Sequence, residues 1–409
     1  MFSILKLLTR ASALVALAAL ATATLGVSAQ EAPQSIRIGW SLAKSGVNAG
    51  GSDTTVRPNY EMWVKEVNAA GGIFLKAFNK RVPVTVVEYD DRSSTEEAVR
   101  AIERLITQDK VDLVLPPWGT AVNLAVAPTL ARHGYPQIAA TALTDRIPDL
   151  TKRWQTIYFM LGRTSSYVDS LLTYLEAARK EGKIGDTIAM VNIADGFGVE
   201  LATAMRLAAP QRGFKLVYDK SYPIGSQDLS PMLNEIKALK PEVFVAFSYP
   251  PDSVLIVEQS RVLSLNPKAF FTGVGTNFPF FRARFAAAAE GLLSVGGIQG
   301  DDPKVRDYLQ RHQAATGKLP DNWGSLSTYA SLQVLQQAIE RVGRIDRAAI
   351  NNELRAGSFD TILGNVKFDN QVFGRIFMVG QWQQGVFQGV APADQPGAKP
   401  AFVAKPAWQ

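Results

Sequence analysis

The side chains that most often carry catalysis or bind transition metals are scarce in this 409-residue sequence. It has no cysteine and two histidines, His133 and His312. His133 follows Arg132 at the end of a predicted helix, where the helix dipole favours a cation. His312 is expected on a charged surface helix beside Arg311, and neither histidine has a neighbouring metal ligand or triad partner. Zinc chemistry and Ser-His or Cys-His catalysis are therefore poorly supported, and we predict a structural role for both histidines.

Two other patterns that could bind ions are also weak. Asp90 and Asp91 form a carboxylate pair after a predicted strand, but Arg92 follows directly and no further oxygen ligand is suitably spaced. The sequence has no GxxxxGK[ST] phosphate loop, and its glycine-rich segment 296–300 does not open a helix, so we predict a turn there. We therefore predict a protein that is not an enzyme, with no catalytic residues, no metal and no cofactor. Acid–base catalysis by Asp90, Asp91 or Asp195 is the weakest alternative.

Turns that combine small residues with aromatic ones recur after the predicted strands. They occupy residues 116–120, 140–142, 194–198, 248–250 and 272–275. In open α/β sheets, ligands bind outside the carboxyl ends of the strands. Free N–H groups at a helix N-terminus suit an anion, and aromatic walls suit the rest of an organic ligand. Trp118 and Phe197 lie in such turns rather than on periodic faces, so we predict that they face a site.

Strands and helices alternate along the chain in two successive units. The predicted strands are 36–40, 82–89, 111–115, 135–139, 187–193, 215–222, 243–247 and 269–271, with two more near Val366 and Ile376. The predicted helices are 60–70, 95–107, 122–132, 167–180, 200–212, 229–238, 253–264, 304–313 and 326–342. This order favours a two-lobed α/β protein in which each lobe has a mostly parallel sheet flanked by helices. Residues 391–409, rich in proline and alanine, are predicted to form an extended tail.

The N-terminus has the pattern of a secretory signal peptide. Lys6 and Arg10 precede an uncharged stretch, 11–27, that ends in the small-residue site Val27-Ser28-Ala29. We predict a cleaved signal peptide over 1–29 and a periplasmic location; an uncleaved anchor is the alternative, marginal because the stretch is diluted with alanine. The absence of cysteine argues against a lipoprotein anchor. The net charge of +6 is scattered, which argues against nucleic acid as a partner.

Three sequence runs carry a family resemblance. IRIGWSLAKSG (36–46), EVNAAGGI (66–73) and VEYDDRSSTEEAV (87–99) resemble the Leu/Ile/Val-binding protein family, and similarity continues in order through the rest of the chain. The resemblance implies a type I periplasmic-binding fold with three hinge crossovers. It places lobe 1 at 31–158 and 298–367, and lobe 2 at 159–297 and 368–390. It also implies a small-molecule ligand and an ABC permease in the inner membrane as partners. The sequence has no clear oligomerisation signal, and we predict a monomer because lobe closure needs a free cleft.

The same resemblance implies a set of ligand-binding residues. The loop that fixes the ligand carboxylate in the family corresponds here to Trp118, Gly119 and Thr120, and the turn after the next strand to Ala140, Thr141 and Ala142. Phe197 and Tyr249 match the aromatic residues of the second wall.

One departure from the family bears on the ligand. Relatives that bind α-amino acids hold the ammonium with a carboxylate just after the strand equivalent to 269–271, but segment 270–278 has no acidic residue. An ammonium without a countercharge would pay several kcal/mol of desolvation. We therefore hypothesise a carboxylic acid that lacks an amine, and is aromatic in view of Trp118, Phe197, Tyr249 and Phe278. The alternatives are an amino acid whose ammonium is met elsewhere, for example by Asp195, an amide or urea, or a role as ligand sensor for a membrane receptor.

Overall fold

The computed structural model describes residues 31–408, so the predicted signal peptide lies outside the described residues. From Gln34 onward the chain forms one compact unit. The helices are α1 (Ala49–Thr55), α2 (Arg57–Ala69), α3 (Thr95–Thr107), α4 (Thr120–Arg132), α5 (Ile147–Arg153), α6 (Thr164–Lys180), α7 (Gly196–Gln211), α8 (Ser230–Leu239), α9 (Pro250–Val262), α10 (Pro279–Phe285), α11 (Pro303–Thr316), α12 (Gly324–Val342) and α13 (Arg347–Ala356). The strands are β1 (Ile36–Leu42), β2 (Ile73–Leu75), β3 (Lys80–Val82), β4 (Val84–Asp90), β5 (Leu113–Leu115), β6 (Gln137–Ala139), β7 (Ile157–Phe159), β8 (Thr187–Ile193), β9 (Lys215–Tyr222), β10 (Val243–Phe247), β11 (Ala269–Thr272), β12 (Leu292–Val295), β13 (Phe359–Thr361), β14 (Gly364–Val366), β15 (Val379–Gln383) and β16 (Val386–Ala391).

The first lobe is built on a parallel sheet in the order β4-β1-β5, with β6 and β7 forming a parallel pair. Ile38 in the central strand pairs with Val86 on one side and Leu113 on the other. Such strands read as nearly continuous apolar runs, because helices cover both faces of the sheet.

The second lobe contains a seven-stranded sheet in the order β16-β15-β12-β11-β10-β8-β9. Its strands from β12 to β9 are parallel, whereas β15 and β16 join one edge in antiparallel pairing. The predicted two-lobed α/β architecture with mostly parallel sheets is confirmed. The boundaries of the predicted domain division stay a prediction.

Three segments cross between the lobes side by side. The amide of Phe159 donates to the carbonyl of Gln371 at 2.8 Å, and the amide of Gly374 donates to the carbonyl of Met160 at 3.1 Å. In the third crossing, the amide of Gly297 donates to the backbone carbonyl of Asn322 at 2.8 Å. These adjacent connections are the hinge of the two-lobed fold.

Three sequence expectations need correction or refinement. His312 is not on an exposed surface: it is 1% exposed, and burial lowers its pKa. The strand expected near Ile376 is absent there, and β15 begins at Val379 instead. Residues 392–408 form no helix or strand, as predicted for the tail, but Phe402 and Trp408 are buried against the second lobe.

Among residues 31–408, no helix has both the length and the apolar character needed to cross a membrane.

Candidate functional site

The carboxyl ends of the parallel strands in the two lobes face each other across a cleft. Six of the nine predicted site residues line one cavity there: Trp118, Gly119, Thr120, Thr141, Phe197 and Tyr249. This inner cavity has a volume of about 10 Å³, which is space for about one water molecule. The cleft is therefore closed, with side chains from both lobes in contact.

Aromatic side chains form the contact across the cleft. The rings of Phe197 and Tyr249 stack with centroids 5.0 Å apart and an interplanar angle of 17°. Trp118 from the first lobe meets Tyr249 from the second, with ring centroids 5.3 Å apart. Burial raises the pKa of Tyr249 well above its ordinary value, so its hydroxyl stays protonated. The three rings can clamp a flat or apolar group between the lobes.

The N-terminus of α4 lies in the cleft: Gly119 and Thr120 line the inner cavity, and Ala121 lines a second cavity that adjoins it. Gly119, with φ of +91°, turns the chain into this helix, and its amide donates to Oγ1 of Thr141 at 3.0 Å. The amides of Thr120 and Ala121 have no acceptor in the part of the chain that the structure describes. Unpaired amides at a helix N-terminus form a ready anion site.

The other three predicted residues do not line this cavity. Ala140 is buried, and its carbonyl accepts a hydrogen bond from Oγ of Ser327 at 2.9 Å. Ala142 packs in an apolar cluster with Ile147. Phe278 is fully buried and packs edge-to-face against Phe280. Their contact with a ligand stays a prediction.

Sequence reasoning missed five residues that line the inner cavity. They are Thr55, Leu143, Val274, Trp323 and Gly324. Nε1 of Trp323 donates to the hydroxyl of Tyr167 at 2.9 Å, which ties it to helix α6 of the other lobe. The carboxylate of Asp321 holds this turn by accepting the amides of Trp323 at 2.8 Å and Gly324 at 2.7 Å. A Trp-Gly pair ahead of a helix, the same feature that marks Trp118 and Gly119, was the available signal.

A second, larger cavity adjoins the first. This outer cavity has a volume of about 580 Å³, and Tyr249 lines both cavities. Segments that follow the edge strands β4 and β9 form part of its wall, so both lobes contribute to it. The charged residues that line it are all acidic: Glu96, Asp195, Asp252 and Glu258.

One of these carboxylates, Asp252, is buried, and another, Asp195, is half-buried. Asp195 caps helix α7 by accepting the amide of Gly198 at 2.8 Å, and burial raises its pKa. Asp252 lies in the first turn of α9, and burial raises its pKa to about 6. Within residues 31–408, no group of three or more acidic or histidine side chains is arranged to hold a metal ion.

Comparison with known proteins gives concordant results. The family described as "Periplasmic binding protein" matches residues 35–386. Leu/Ile/Val-binding protein homolog 7 of Brucella suis is 24% identical over 394 residues, covering 92% of this chain and 96% of that protein.

Solved structures of similar shape share the fold. The branched-chain amino acid transporter substrate binding protein LivJ from Streptococcus pneumoniae, in complex with isoleucine, superposes with a TM-score of 0.74 at 22% identity, covering 86% of this chain and 97% of that one. An ABC transporter solute binding protein from R. palustris, in complex with benzoate, gives a TM-score of 0.72 at 19% identity, covering 89% and 99%.

Proposed function

The chain belongs to the periplasmic binding protein family, whose members bind solutes rather than catalyse reactions, and from this premise we propose that it captures a small organic carboxylate in the interlobe cleft. In this proposal it works in the periplasm and delivers the ligand to an ABC permease of the inner membrane. Opening and closing about the hinge admit the ligand and enclose it.

The composition of the inner cavity carries this proposal. The free amide of Thr120 would receive a carboxylate there together with the hydroxyl of Thr141, and the free amide of Ala121 follows it at the same helix N-terminus. No charged side chain of the described residues lines this cavity. An ammonium directly beside the carboxylate would be buried there without a countercharge, at a cost of several kcal/mol. An acid without an α-ammonium fits better.

The aromatic wall supports an aromatic acid. Phe197 and Tyr249 already stack, and Trp118 closes the same wall from the other lobe. The R. palustris relative of the same fold has been solved with benzoate. An α-amino acid is the second candidate, because Asp195 lies beside Tyr249 and the S. pneumoniae relative has been solved with isoleucine.

A thermal-shift screen of residues 30–409 against acids, amino acids and amides tests the proposal. Ligand at a hundred times its Kd stabilises the folded state by about 2.7 kcal/mol, which gives a clear rise in Tm. We expect benzoate-like acids to raise Tm and leucine to have no effect. Thr141→Val should weaken binding of the acid about tenfold, whereas Thr107→Val on the exposed face of α3 should not. A Tm increase with leucine alone would overturn the choice of ligand class.

A further inference from the structure

The outer cavity has a charge pattern that the inner cavity lacks. Four carboxylates line its 580 Å³, and no lysine or arginine of the described chain does. Its volume lies in the range of about 300–1,000 Å³ typical of small-molecule sites. A cavity of this size with charges of a single sign favours a group of the opposite sign.

Asp252 is the least compensated of these carboxylates. It is 6% exposed, and Oδ2 accepts one long hydrogen bond, from its neighbour Tyr249 at 3.3 Å. The hydroxyl of Tyr222 is the one other donor of residues 31–408 that approaches it, and no cation pairs with it or with Asp195. By contrast, Glu258 is paired with Arg284 at 2.8 Å.

A second buried polar group lies near these carboxylates. Tyr222, at the end of β9, is 1% exposed, and its hydroxyl approaches Asp252 without the geometry of a well-formed hydrogen bond. It neighbours both Asp195 and Asp252, whose negative charges raise its pKa further after burial itself. Buried polar groups without well-formed hydrogen bonds are rare in folded proteins, so this arrangement needs an explanation beyond folding.

Helix capping explains only part of this arrangement. Asp195 and Asp252 lie at the N-termini of α7 and α9, where the helix dipoles favour negative charge. The interaction of a carboxylate with a helix dipole is weaker than the desolvation cost of burying that carboxylate without a charged partner. Capping also does not require two helices to direct their carboxylates into one cavity.

We propose that the outer cavity binds a protonated amine or guanidinium at the far end of the ligand, with Asp252 and Asp195 as its countercharges. This inference rests on the proposed function, in which the carboxylate binds in the inner cavity at the amide of Thr120. Tyr249 lines both cavities, so the body of such a ligand would lie along its ring. The hypothesis that the ligand has no amine is thereby restricted to the α position: the ligand has no amine next to its carboxylate, but it has one at its far end.

Matched pairs of ligands test the inference on residues 30–409 by isothermal titration calorimetry. 4-(Aminomethyl)benzoate is compared with 4-methylbenzoate, and 5-aminopentanoate with pentanoate. We expect the member with the amine to bind at least tenfold more tightly in each pair. Equal or tighter binding of the amine-free members would overturn the inference and leave the proposed function intact.

Two variants locate the amine. Asp252→Asn and Asp195→Asn keep a side-chain oxygen for capping, and melting curves check that both fold. Asp252→Asn should remove most of the preference for the amine and leave binding of 4-methylbenzoate within about twofold. Asp394→Asn, at an exposed carboxylate in the tail, is the control and should keep the preference. Persistence of the preference in both Asp195→Asn and Asp252→Asn would overturn the inference.

Benzylamine, which has no carboxylate, distinguishes a failure of the proposed carboxylate site from a failure of the inferred amine site. A benzylamine-induced rise in Tm that survives Thr141→Val but is lost in Asp252→Asn supports the outer site even where no carboxylate binds. If no amine of the panel changes Tm or gives heat, the inference is wrong.

Discussion

At the residue scale, Asp321 and Asp252 are two buried carboxylates with very different surroundings. Asp321 accepts the amides of Trp323, Gly324 and Ser325 and is thereby compensated. Asp252 accepts one backbone amide, at 3.3 Å, and is approached by the hydroxyl of Tyr222. The first therefore stabilises the turn that carries Trp323, whereas the second costs stability in the ligand-free protein.

Asp252 should make stability fall as pH rises from about 4 to 6. Its pKa is 3.8 ordinarily and about 6 in the folded protein, so the folded state binds more protons than the unfolded state in this window. The free energy of unfolding therefore decreases with pH across the window, by about 3 kcal/mol at most, and is constant above it.

Urea unfolding of the wild type and of Asp252→Asn at several pH values measures this effect. The pKa of Asp91 is also raised to about 6, but this residue is present in both proteins and cancels in their difference. We expect the stability advantage of Asp252→Asn to grow from pH 4 to 6, and that of the control Asp394→Asn to stay flat. A difference between Asp252→Asn and wild type that does not vary with pH would refute the assignment.

How far single residues can be predicted depends on whether the signal is local. Trp118, Thr141 and Phe197 follow strands directly, and the rule that ligands bind at strand ends identified them from sequence. Thr55 reaches the same cavity from helix α1 without a local pattern, and Val274 lies in the strand-end turn 272–275, where nothing in the sequence singles it out from its neighbours. Asp252 reads as an ordinary first-turn acid in α9, and only its burial in the folded protein sets it apart.

At the element scale, long apolar runs were predictable and short helices were not. Strands β8, β9 and β10 and helix α3 match the predicted bounds, because their hydrophobic patterns are long enough to define a period. Helices α1, α5 and α10 have seven residues each. Whether so short a segment forms a helix depends on its tertiary contacts more than on its helix propensity.

Helix α1 supports the cleft through one close contact. A Cβ added at Gly51 would lie 2.5 Å from Cζ2 of Trp118, so the indole would have to move. The neighbouring Gly50 has no atom within 4 Å of the same position. Gly51→Ala should therefore displace Trp118 and weaken ligand binding at least tenfold.

Gly50→Ala is the matched control in the same helix. It should leave affinity unchanged and add about 0.5–1 kcal/mol of stability, since alanine is the better helix former. Calorimetric titration of both variants with one acid from the screen makes the comparison. Equal affinities would mean that α1 does not position Trp118 for binding.

At the scale of the whole molecule, function depends on lobes that close about a narrow hinge. Gly296 lies at the crossing that follows β12 and has φ of +90°, a conformation that suits glycine. A Cβ there would meet Cβ of Trp323 at 2.4 Å, and Trp323 is bonded across the cleft to Tyr167. The closed arrangement therefore requires glycine at this position.

Gly296→Ala should shift the conformational equilibrium of the protein from closed toward open lobes. Because only the closed form holds the ligand fully, the apparent affinity should fall in proportion to the fraction of closed protein. Small-angle X-ray scattering at a fixed ligand concentration that saturates the wild type should give a larger radius of gyration for this variant. Gly182→Ala is the control: its φ is +72°, but no atom lies within 4 Å of the new Cβ. It imposes backbone strain of about 1–2 kcal/mol without touching the hinge. If both variants lose stability equally and bind equally well, closure does not depend on the contact of Gly296 with Trp323.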